Sequence, residues 1–341
     1  MKLSFVVIAF NEEGHIGRCV DAIAAQKGLA RVQWEVIVVD DGSVDCTADV
    51  AASRHPHVRV VRLGVNRGRG AARAAGVAAS TGELVALVDA DVVLPPDWLA
   101  RCRAAIGGAD AVGGIAVPDG DVSYVASRFG LTPKARPGAT VVMGSNGLYR
   151  RRVFDAVAFD PGLRDGEDVA LVHAMALAGL RGVCLPQVVV RHEEHKSYTD
   201  SLVWLYQSGR GATRQLLRYR RVRVPDVATA MAVTVGAISV AGAAWGRWAV
   251  TGVAPAWLVG LAAVHLAYKF EARRPEAARW PAAVCAHAGL LGAYFAGRLT
   301  GAWARTLGSS AAPSPAAGPE RGRLSPPERC RLSPPGPKWR R

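Results

Sequence analysis

Acidic residues are scarce in the C-terminal part of the chain. Residues 201–341 hold five Asp and Glu against 20 Lys and Arg, whereas residues 1–200 hold 23 against 22. The net charge of +14 therefore comes from the C-terminal part. That part also contains the longest apolar runs and lacks the aromatic-interleaved basic patches typical of nucleic-acid binding. Basic clusters beside apolar runs favour a membrane surface as the partner over a nucleic acid.

Closely paired cysteines and a secretory signal are also missing. The six cysteines are scattered, and because none forms a C-x-x-C pair, a zinc site is not indicated. The apolar run at residues 3–10 is too short for a signal peptide and is followed at once by Glu12 and Glu13. These absences predict a reduced, cytoplasmic setting for the N-terminal part.

The N-terminal part alternates short apolar runs with alanine-rich, helix-like segments. The runs lie at residues 3–10, 34–40, 58–63 and 83–89. Such alternation is typical of α/β domains. Runs of Val, Ile and Leu without polar alternation indicate strands that are covered on both faces. The sequence therefore predicts a Rossmann-like, mostly parallel sheet flanked by helices.

Polar residues follow these runs where each strand is expected to end. They are Asn11 and Glu12 after the first run, Asp40 and Asp41 after the second, and Asp89 and Asp91 after the fourth. In open α/β sheets, ligands bind in the crevice at the carboxyl ends of the strands. We therefore expect these side chains to converge on one crevice.

The D-x-D sequence of Asp89 and Asp91 is a candidate metal site. Residues i and i+2 of a strand end share a face, and paired carboxylates suit Mg²⁺ or Mn²⁺ with a diphosphate completing the shell. The alternative is a pair of turn aspartates that cap the following helix. The apolar run in front of the pair and the Asp40-Asp41 pair nearby favour the metal site.

Four segments in this order resemble the motifs of family 2 glycosyltransferases, which have the GT-A fold. They are "VVIAFNEEGHI", "VIVVDDGSVDCT", "NRGRGAARAAGVAASTGELVALVDADV" and "RDGEDVALVHAMALAG", and the resemblance covers roughly residues 1–195. It implies an inverting enzyme that uses a nucleotide-diphosphate sugar and a divalent metal, Mn²⁺ or Mg²⁺. A helix is expected at 167–179.

The resemblance also implies roles for the matching residues. The donor-binding set comprises Asn11 and Glu12 at the nucleotide pocket, Asp40 and Asp41 at the base and ribose, Arg67 and Arg69 near the nucleotide, and Asp89 at the ribose or sugar. The metal set comprises Asp91, Asp89 and His192, and the catalytic set comprises Asp168 as general base beside Glu167. Each role has a structural alternative. The two arginines could be exposed to solvent, the two carboxylates of the catalytic set could complement a helix dipole, and the histidine could be structural. Trp98 and the turn at 144–146 could contact the sugar or the acceptor, or Trp98 could belong to the core.

The C-terminal part is predicted to attach the catalytic domain, residues 1–200, to the inner membrane with that domain facing the cytoplasm. Residues 201–225 read as a basic amphipathic interfacial helix. Residues 226–300 contain two or three transmembrane helices, at 227–245, 248–268 and 280–297. Residues 301–341, with two RLSPP repeats, read as a disordered tail.

The expected reaction is transfer of one sugar to a hydroxyl of a lipid-linked or membrane-proximal acceptor. A phosphate acceptor is already ionised and needs no base, so Asp168 favours a hydroxyl. The segment "YQSGRG" at 206–211 only faintly echoes the Q-x-x-R-W box of processive synthases. The alternatives are a polyprenyl-phosphate glycosyltransferase, a non-catalytic membrane scaffold with the same fold, and a binder of anionic surfaces or nucleic acid that acts through the tail.

Overall fold

The structure, a computed structural model, describes residues 2–118, 128–129, 132–133, 144–192, 197–220, 222, 224–246, 251–271 and 279–306. Most of the predicted loop at 118–140 and the predicted tail beyond residue 306 lie outside the described residues. The N-terminal part of the chain forms a layered α/β domain, and four long helices follow it.

A mixed sheet forms the centre of the α/β domain. Its strands are β1 (Lys2–Ala9), β2 (Gln33–Asp40), β3 (Val58–Arg62), β4 (Leu84–Asp89), β5 (Val92–Val93), β6 (Ala111–Pro118), β8 (Asn146–Arg150) and β9 (Gly182–His192). Their order across the sheet is β3-β2-β1-β4-β8-β6-β9-β5. Strands β1 to β4 and the pair β6 and β9 run in parallel, while β8 and β5 run antiparallel to their neighbours. The predicted mostly parallel sheet is confirmed, with these two strands reversed.

Helices cover both faces of the sheet. They are α1 (Ile16–Ala24), α2 (Thr47–Arg54), α3 (Arg69–Ala79), α4 (Trp98–Ala105), α5 (Arg151–Ala156) and α6 (Glu167–Leu177). Strand β2 shows why its run is continuously apolar, because Val36 and Val38 pack into one core while Ile37 and Val39 pack into the other. Burying such a side chain is worth about 1.5–3 kcal/mol. Trp98 is fully buried in the same core as Val36 and Val38, which favours a structural role over contact with the sugar or the acceptor.

Four long helices make up the C-terminal part as far as the structure describes it. They are α7 (Tyr198–Tyr219), α8 (Val224–Ala244), α9 (Val253–Lys269) and α10 (Trp280–Thr306). Helices α7 and α10 pack closely because glycines lie at their contact. A Cβ atom at Gly209 of α7 would overlap the carbonyl oxygen of Tyr294, and one at Gly297 of α10 would overlap that of Tyr206. A short antiparallel pair, β7 (Thr132–Pro133) and β10 (Phe270–Glu271), also joins the two parts of the chain.

The prediction of two or three membrane spans is supported only in part. Among the described residues, one helical segment, Asp226–Ala244, is long and apolar enough to cross a bilayer, with a mean hydropathy of 1.8. The apolar segment Val253–Tyr268 is shorter. The third predicted span, 280–297, is the first part of α10, which continues through Arg298 and packs along α7.

Candidate active site

A cavity of about 540 Å³ opens at the carboxyl ends of β1 and β4. Three parts of the chain form its walls: the strand ends, the loops around residues 66–72 and 163–165, and one face of α7. Its charged lining residues are Glu12, Asp41, Arg69, Asp89, Asp91, Arg164, Asp165, Arg210 and Arg214. Of the six polar residues predicted to converge on one crevice, four line this cavity and two, Asn11 and Asp40, are not among its lining residues.

Three carboxylates share one corner of this cavity. Burial raises the pKa of Glu12, and the negative charges of Asp91 and Asp89 add to this rise. The Nδ1 atom of His15 lies 2.8 Å from a Glu12 oxygen and opposes the rise. The repulsion among these carboxylates shows that their charges lie close together, which is the condition that a divalent cation relieves.

The corner offers carboxylate oxygens, the ligand type that Mg²⁺ and Mn²⁺ prefer. Among the described residues, no group of three or more His, Cys, Asp and Glu side chains is arranged to hold a metal ion. Mg²⁺ is commonly held by one or two carboxylates together with substrate phosphates, and the metal role of Asp91 and Asp89 stays a prediction. The backbone of His192 pairs with Val92, next to Asp91 in sequence. This register places the predicted histidine at the same edge, and its ligand role stays a prediction.

The two aspartates after β2 have different surroundings. Asp40 accepts the backbone N–H of Ser43 at 3.0 Å and closes its own turn. Asp41 lines the cavity and accepts the backbone N–H groups of Arg67 and Gly68 at 2.7 and 2.8 Å. Burial raises the pKa of Asp41, while these two hydrogen bonds oppose the rise. Asp41 thus fixes the loop that leads into α3.

Gly68 explains why this loop can approach the 164 segment so closely. Its φ of +93° lies in the region that favours glycine, and a Cβ atom there would overlap Arg164. The close approach brings Arg69 within 3.2 Å of the Asp165 carboxylate at the cavity wall. The side chain of Arg67 is exposed, and of this residue the backbone N–H is what contacts Asp41.

Asn11 belongs to the turn beside the cavity. Its φ of +57° is positive, a conformation that asparagine tolerates better than most residues. The side-chain oxygen accepts the N–H of Val44 at 2.9 Å, and its own N–H donates to the Ser43 hydroxyl. Asn11 therefore joins the loops after β1 and β2.

Glu167 and Asp168 have different positions at the start of α6. Glu167 is 2% exposed and accepts a hydrogen bond of 2.7 Å from Arg73 Nε. Burial raises the pKa of Glu167, with the charge of Asp168 adding and that of Arg73 opposing. Asp168 is half-buried, and its Oδ1 accepts the N–H of Val169. Asp165 lines the cavity at the same end of α6 and is a second carboxylate to test as a base.

Helix α7 contributes residues that the motifs did not indicate. Trp204, Gln207, Arg210 and Arg214 line the cavity, and Arg164 faces it from the loop before α6. Burial lowers the pKa of Arg214, and the charges of Arg210 and Arg164 lower it further. The signal in the sequence was the run of arginines and the faint Q-x-x-R echo. From the sequence, that run is predicted to belong to a basic amphipathic interfacial helix.

The turn at 144–146 supports the site from behind. The Gly144 carbonyl accepts a hydrogen bond from Arg73 Nη1, and the Ser145 carbonyl accepts the N–H of Asp89 at 3.3 Å. The Asn146 side chain is fully buried and accepts the N–H of Gly114. These contacts give the turn a structural role at the back of the cavity.

The fold is thus an α/β domain whose charged crevice lies at the carboxyl ends of the strands, where such domains bind their ligands. Residues 4–158 match the family model described as glycosyl transferase family 2. Over this domain, the chain is similar to glycosyl transferase family 2. The family resemblance expected from the sequence is confirmed.

Two curated relatives illustrate the extent of the similarity. The succinoglycan biosynthesis protein ExoO of Rhizobium meliloti is 38% identical over 202 residues, which are 52% of this chain and 56% of the relative. The dodecaprenyl-phosphate galacturonate synthase of Rhizobium johnstonii is 39% identical over 101 residues, 28% of this chain and 30% of that protein. The chain spans about half the length of the first of these relatives and less of the second.

The fold also resembles a solved structure. The mannosyltransferase PcManGT of Pyrobaculum calidifontis, solved in complex with GDP-Man and Mn²⁺, superposes with a TM-score of 0.58 at 20% identity. The superposition covers 86% of each chain. This likeness confirms the predicted GT-A fold class and extends over part of the C-terminal helices.

Proposed function

We propose that this chain is a membrane-attached, metal-dependent, inverting glycosyltransferase. It moves one sugar from a nucleotide-diphosphate sugar to a hydroxyl of a lipid-linked or membrane-proximal acceptor. The observation that carries this proposal is the cavity with a carboxylate corner at the strand ends and an arginine wall on α7. The glycosyltransferase names of the curated relatives and the nucleotide sugar and Mn²⁺ of the solved neighbour support it.

The carboxylate corner is proposed to hold the donor. Asp89 would accept hydrogen bonds from the ribose or sugar hydroxyls, and Asp91 with Asp89 would bind Mn²⁺ or Mg²⁺. The metal, when bound, neutralises charge that develops on the leaving diphosphate. Arg69 supplies a further positive charge on the same side of the cavity. Asp41 holds the neighbouring loop and lines the space next to the donor.

The proposed reaction breaks one bond and forms one bond at the anomeric carbon. Asp168 takes the proton from the acceptor hydroxyl as its oxygen attacks, and the electron pair of the broken bond leaves with the nucleoside diphosphate. Attack from the face opposite the leaving group inverts the configuration. Asp168 lies at the first turn of α6, close enough to Arg73 and Glu167 for its charge to act on both.

The test is turnover by the full chain in detergent with a panel of nucleotide-sugar donors and Mn²⁺ or Mg²⁺. We expect one donor to be used, with turnover lost on metal removal and in Asp91→Ala and Asp168→Asn. Asp165→Asn is the comparison variant, because Asp165 lines the cavity whereas Asp168 is not among its lining residues. Loss of turnover in Asp165→Asn but not in Asp168→Asn would identify Asp165 as the base. Wild-type turnover in all three variants would show that none of these carboxylates takes part in catalysis, and the absence of turnover with every donor would favour the non-catalytic scaffold.

A second candidate is a polyprenyl-phosphate glycosyltransferase, which the arginine wall favours. Arg164, Arg210 and Arg214 lie close enough for their charges to disfavour one another, and an anionic group would relieve this repulsion. One relative carries the name dodecaprenyl-phosphate galacturonate synthase. A glycosyl phosphate product is labile to mild acid, so release of free sugar from the lipid product under mild acid would identify this acceptor. A product from which mild acid does not release the transferred sugar in free form would identify a hydroxyl acceptor.

Membrane attachment is proposed to go through α8. Its segment Asp226–Ala244 is apolar, and only 11% of the most apolar stretch of 18 residues in this segment is buried within the protein. Such a helix contacts lipid more easily than a protein core. Residues 210–223 carry six arginines just before α8, and a positive flank of this kind is typical of the cytoplasmic side. We propose that the catalytic domain faces the cytoplasm.

A further inference from the structure

Arg73 is a buried cation beneath the cavity. It lies in the middle of α3, and its side chain is 3% exposed. A guanidinium at this depth is costly unless it is paired and hydrogen-bonded. Its partners therefore determine what the residue does.

The guanidinium joins three separate segments of the chain. Its Nε donates to Glu167 Oε1 at 2.7 Å, its Nη2 donates to Asp89 Oδ1 at 2.8 Å, and its Nη1 donates to the Gly144 carbonyl at 2.5 Å. These partners lie at the start of α6, at the end of β4 and in the turn before β8. Each segment contributes to the cavity or to the wall behind it.

The depth of Arg73 is set by the packing of α3. A Cβ atom at Gly70, one turn earlier, would overlap the carbonyl oxygens of Asp160 and Leu163, and one at Gly76 would overlap the side chain of Val6. Helix α3 therefore lies close to the sheet and to the segment before α6. A lysine at position 73 would bring one ammonium to a single point, whereas the planar guanidinium reaches three acceptors at once.

We propose that Arg73 is a positioning residue that holds the Asp89 carboxylate in its donor-binding orientation and ties it to the first turn of α6. The bond to Oδ1 fixes the rotation of a carboxylate that also lines the cavity. The bond to Glu167 places the neighbouring residue, Asp168, at a set distance from Asp89. This inference rests on the proposed function, because it assigns Asp89 to the donor and Asp168 to the acceptor.

The experiment measures nucleotide affinity separately from turnover. The full chain in detergent is titrated with GDP and UDP in the presence of Mn²⁺, and kcat and KM for the active donor are measured in parallel. The variants are Arg73→Lys, Arg73→Gln and the double variant Arg73→Gln with Glu167→Gln. Arg151→Gln is the matched control, because Arg151 makes three hydrogen bonds at the other end of the sheet, to Gly82, Val77 and Ser80.

Arg73→Gln is expected to weaken nucleotide binding by about tenfold or more, since it removes a charged hydrogen bond that orients Asp89. It should also lower kcat, whereas Arg151→Gln should lower thermal stability without changing affinity per folded molecule. Arg73→Lys should restore the charge and stability but little of the kcat. The double variant removes the unpaired buried charge at position 167, so it should recover stability and still bind nucleotide weakly.

Two results would overturn the positioning role. One is wild-type nucleotide affinity in Arg73→Gln, and the other is recovery of affinity in the double variant, which would leave Arg73 as a mere counter-ion for Glu167. In either case, wild-type sugar transfer would leave the proposed function intact. Conversely, the wild type could bind nucleotide and transfer no sugar to any acceptor, while Arg73→Gln loses the binding. That result would overturn the proposed function and keep the positioning role.

Discussion

The side-chain amide of Gln215 donates a hydrogen bond of 2.8 Å to the carbonyl oxygen of Gly166, the residue in front of Glu167. Gln215 lies in α7 and is 7% exposed. Gly166 has a φ of +72°, and a Cβ atom there would overlap the Gln215 amide. Helix α7 is thus fixed to the turn that begins α6, and the helix that the sequence assigned to the membrane interface is also a wall of the candidate site.

The arginines of α7 are expected to bind a substrate anion. Arg214→Gln should raise the KM of the donor or the acceptor by about tenfold or more, because a charge-assisted hydrogen bond contributes about 1.5–3 kcal/mol. The effect should shrink as salt is added, since charge interactions at an open cavity are screened.

Arg218→Gln on the same helix is the control for this prediction. Arg218 pairs with Asp160 at 2.8 Å and is not among the cavity-lining residues. Steady-state kinetics at two salt concentrations check both variants. Equal increases in KM for Arg214→Gln and Arg218→Gln would show that only the general charge of the helix matters.

Asp41 is expected to matter more for nucleotide affinity than Asp40. Asp41→Asn weakens the acceptor of two backbone N–H groups in the loop at 67–68. We expect nucleotide binding to weaken by about tenfold, the loss of about 1.4 kcal/mol. Asp40→Asn affects a single turn bond to Ser43 and should mainly lower the melting temperature. Calorimetric titration decides the order, and a larger loss in Asp40→Asn would restore the sequence-based assignment of Asp40 to the base and ribose.

The contact between α7 and α10 is expected to depend on glycine. Gly297→Ala places a Cβ atom against the carbonyl of Tyr206 and should lower the stability by about 1–3 kcal/mol, as overpacking does. Gly236→Ala in α8 is the matched control, because no atom of the described residues beyond the adjoining backbone of its own helix lies within 4 Å of its Cβ position.

The control should be neutral or stabilising by up to about 1 kcal/mol, the difference in helix propensity between the two residues. Thermal unfolding of the full chain in detergent measures both effects. A Gly297→Ala variant as stable as the wild type would mean that the two helices pack less closely than the structure shows.

Glu35 should make the stability depend on pH in the acid range. Burial acts to raise the pKa of this carboxyl, but hydrogen bonds from Ser4 and Thr81 outweigh it and hold the pKa at about 2, below the usual 4.5. A lowered pKa stabilises the fold above pH 4.5, and this contribution is lost as the pH falls towards 2.

The expected contribution of Glu35 at neutral pH is about 2 kcal/mol, after allowance for its partial exposure. The measurement is the difference in unfolding free energy between the wild type and Glu35→Gln at pH 7 and at pH 3. The difference should be larger at pH 7. A difference that does not change with pH would show that the Glu35 carboxylate is not held by Ser4 and Thr81.

Much of the α/β domain could be predicted because its signals are local. The apolar run expected at 83–89 became β4, Leu84–Asp89, and the helix expected at 167–179 became α6, Glu167–Leu177. Parallel strands end at one edge of the sheet, so the polar residues after them had to converge. The reversed strands were not predicted, because antiparallel pairing of β8 with β4 depends on contacts far apart in sequence.

The sequence by itself determined the strands, the carboxylates at their ends, the resemblance to family 2 glycosyltransferases and the basic, apolar character of the C-terminal part. Only the tertiary structure decided that α7 forms a wall of the cavity, that Asp41 rather than Asp40 lines it, and that Arg73 joins Asp89 to Glu167. The partners of Arg73 lie 16 and 94 residues away along the chain. Strand and helix periodicity report which face of an element is buried, whereas such contacts arise only when separate elements pack against one another.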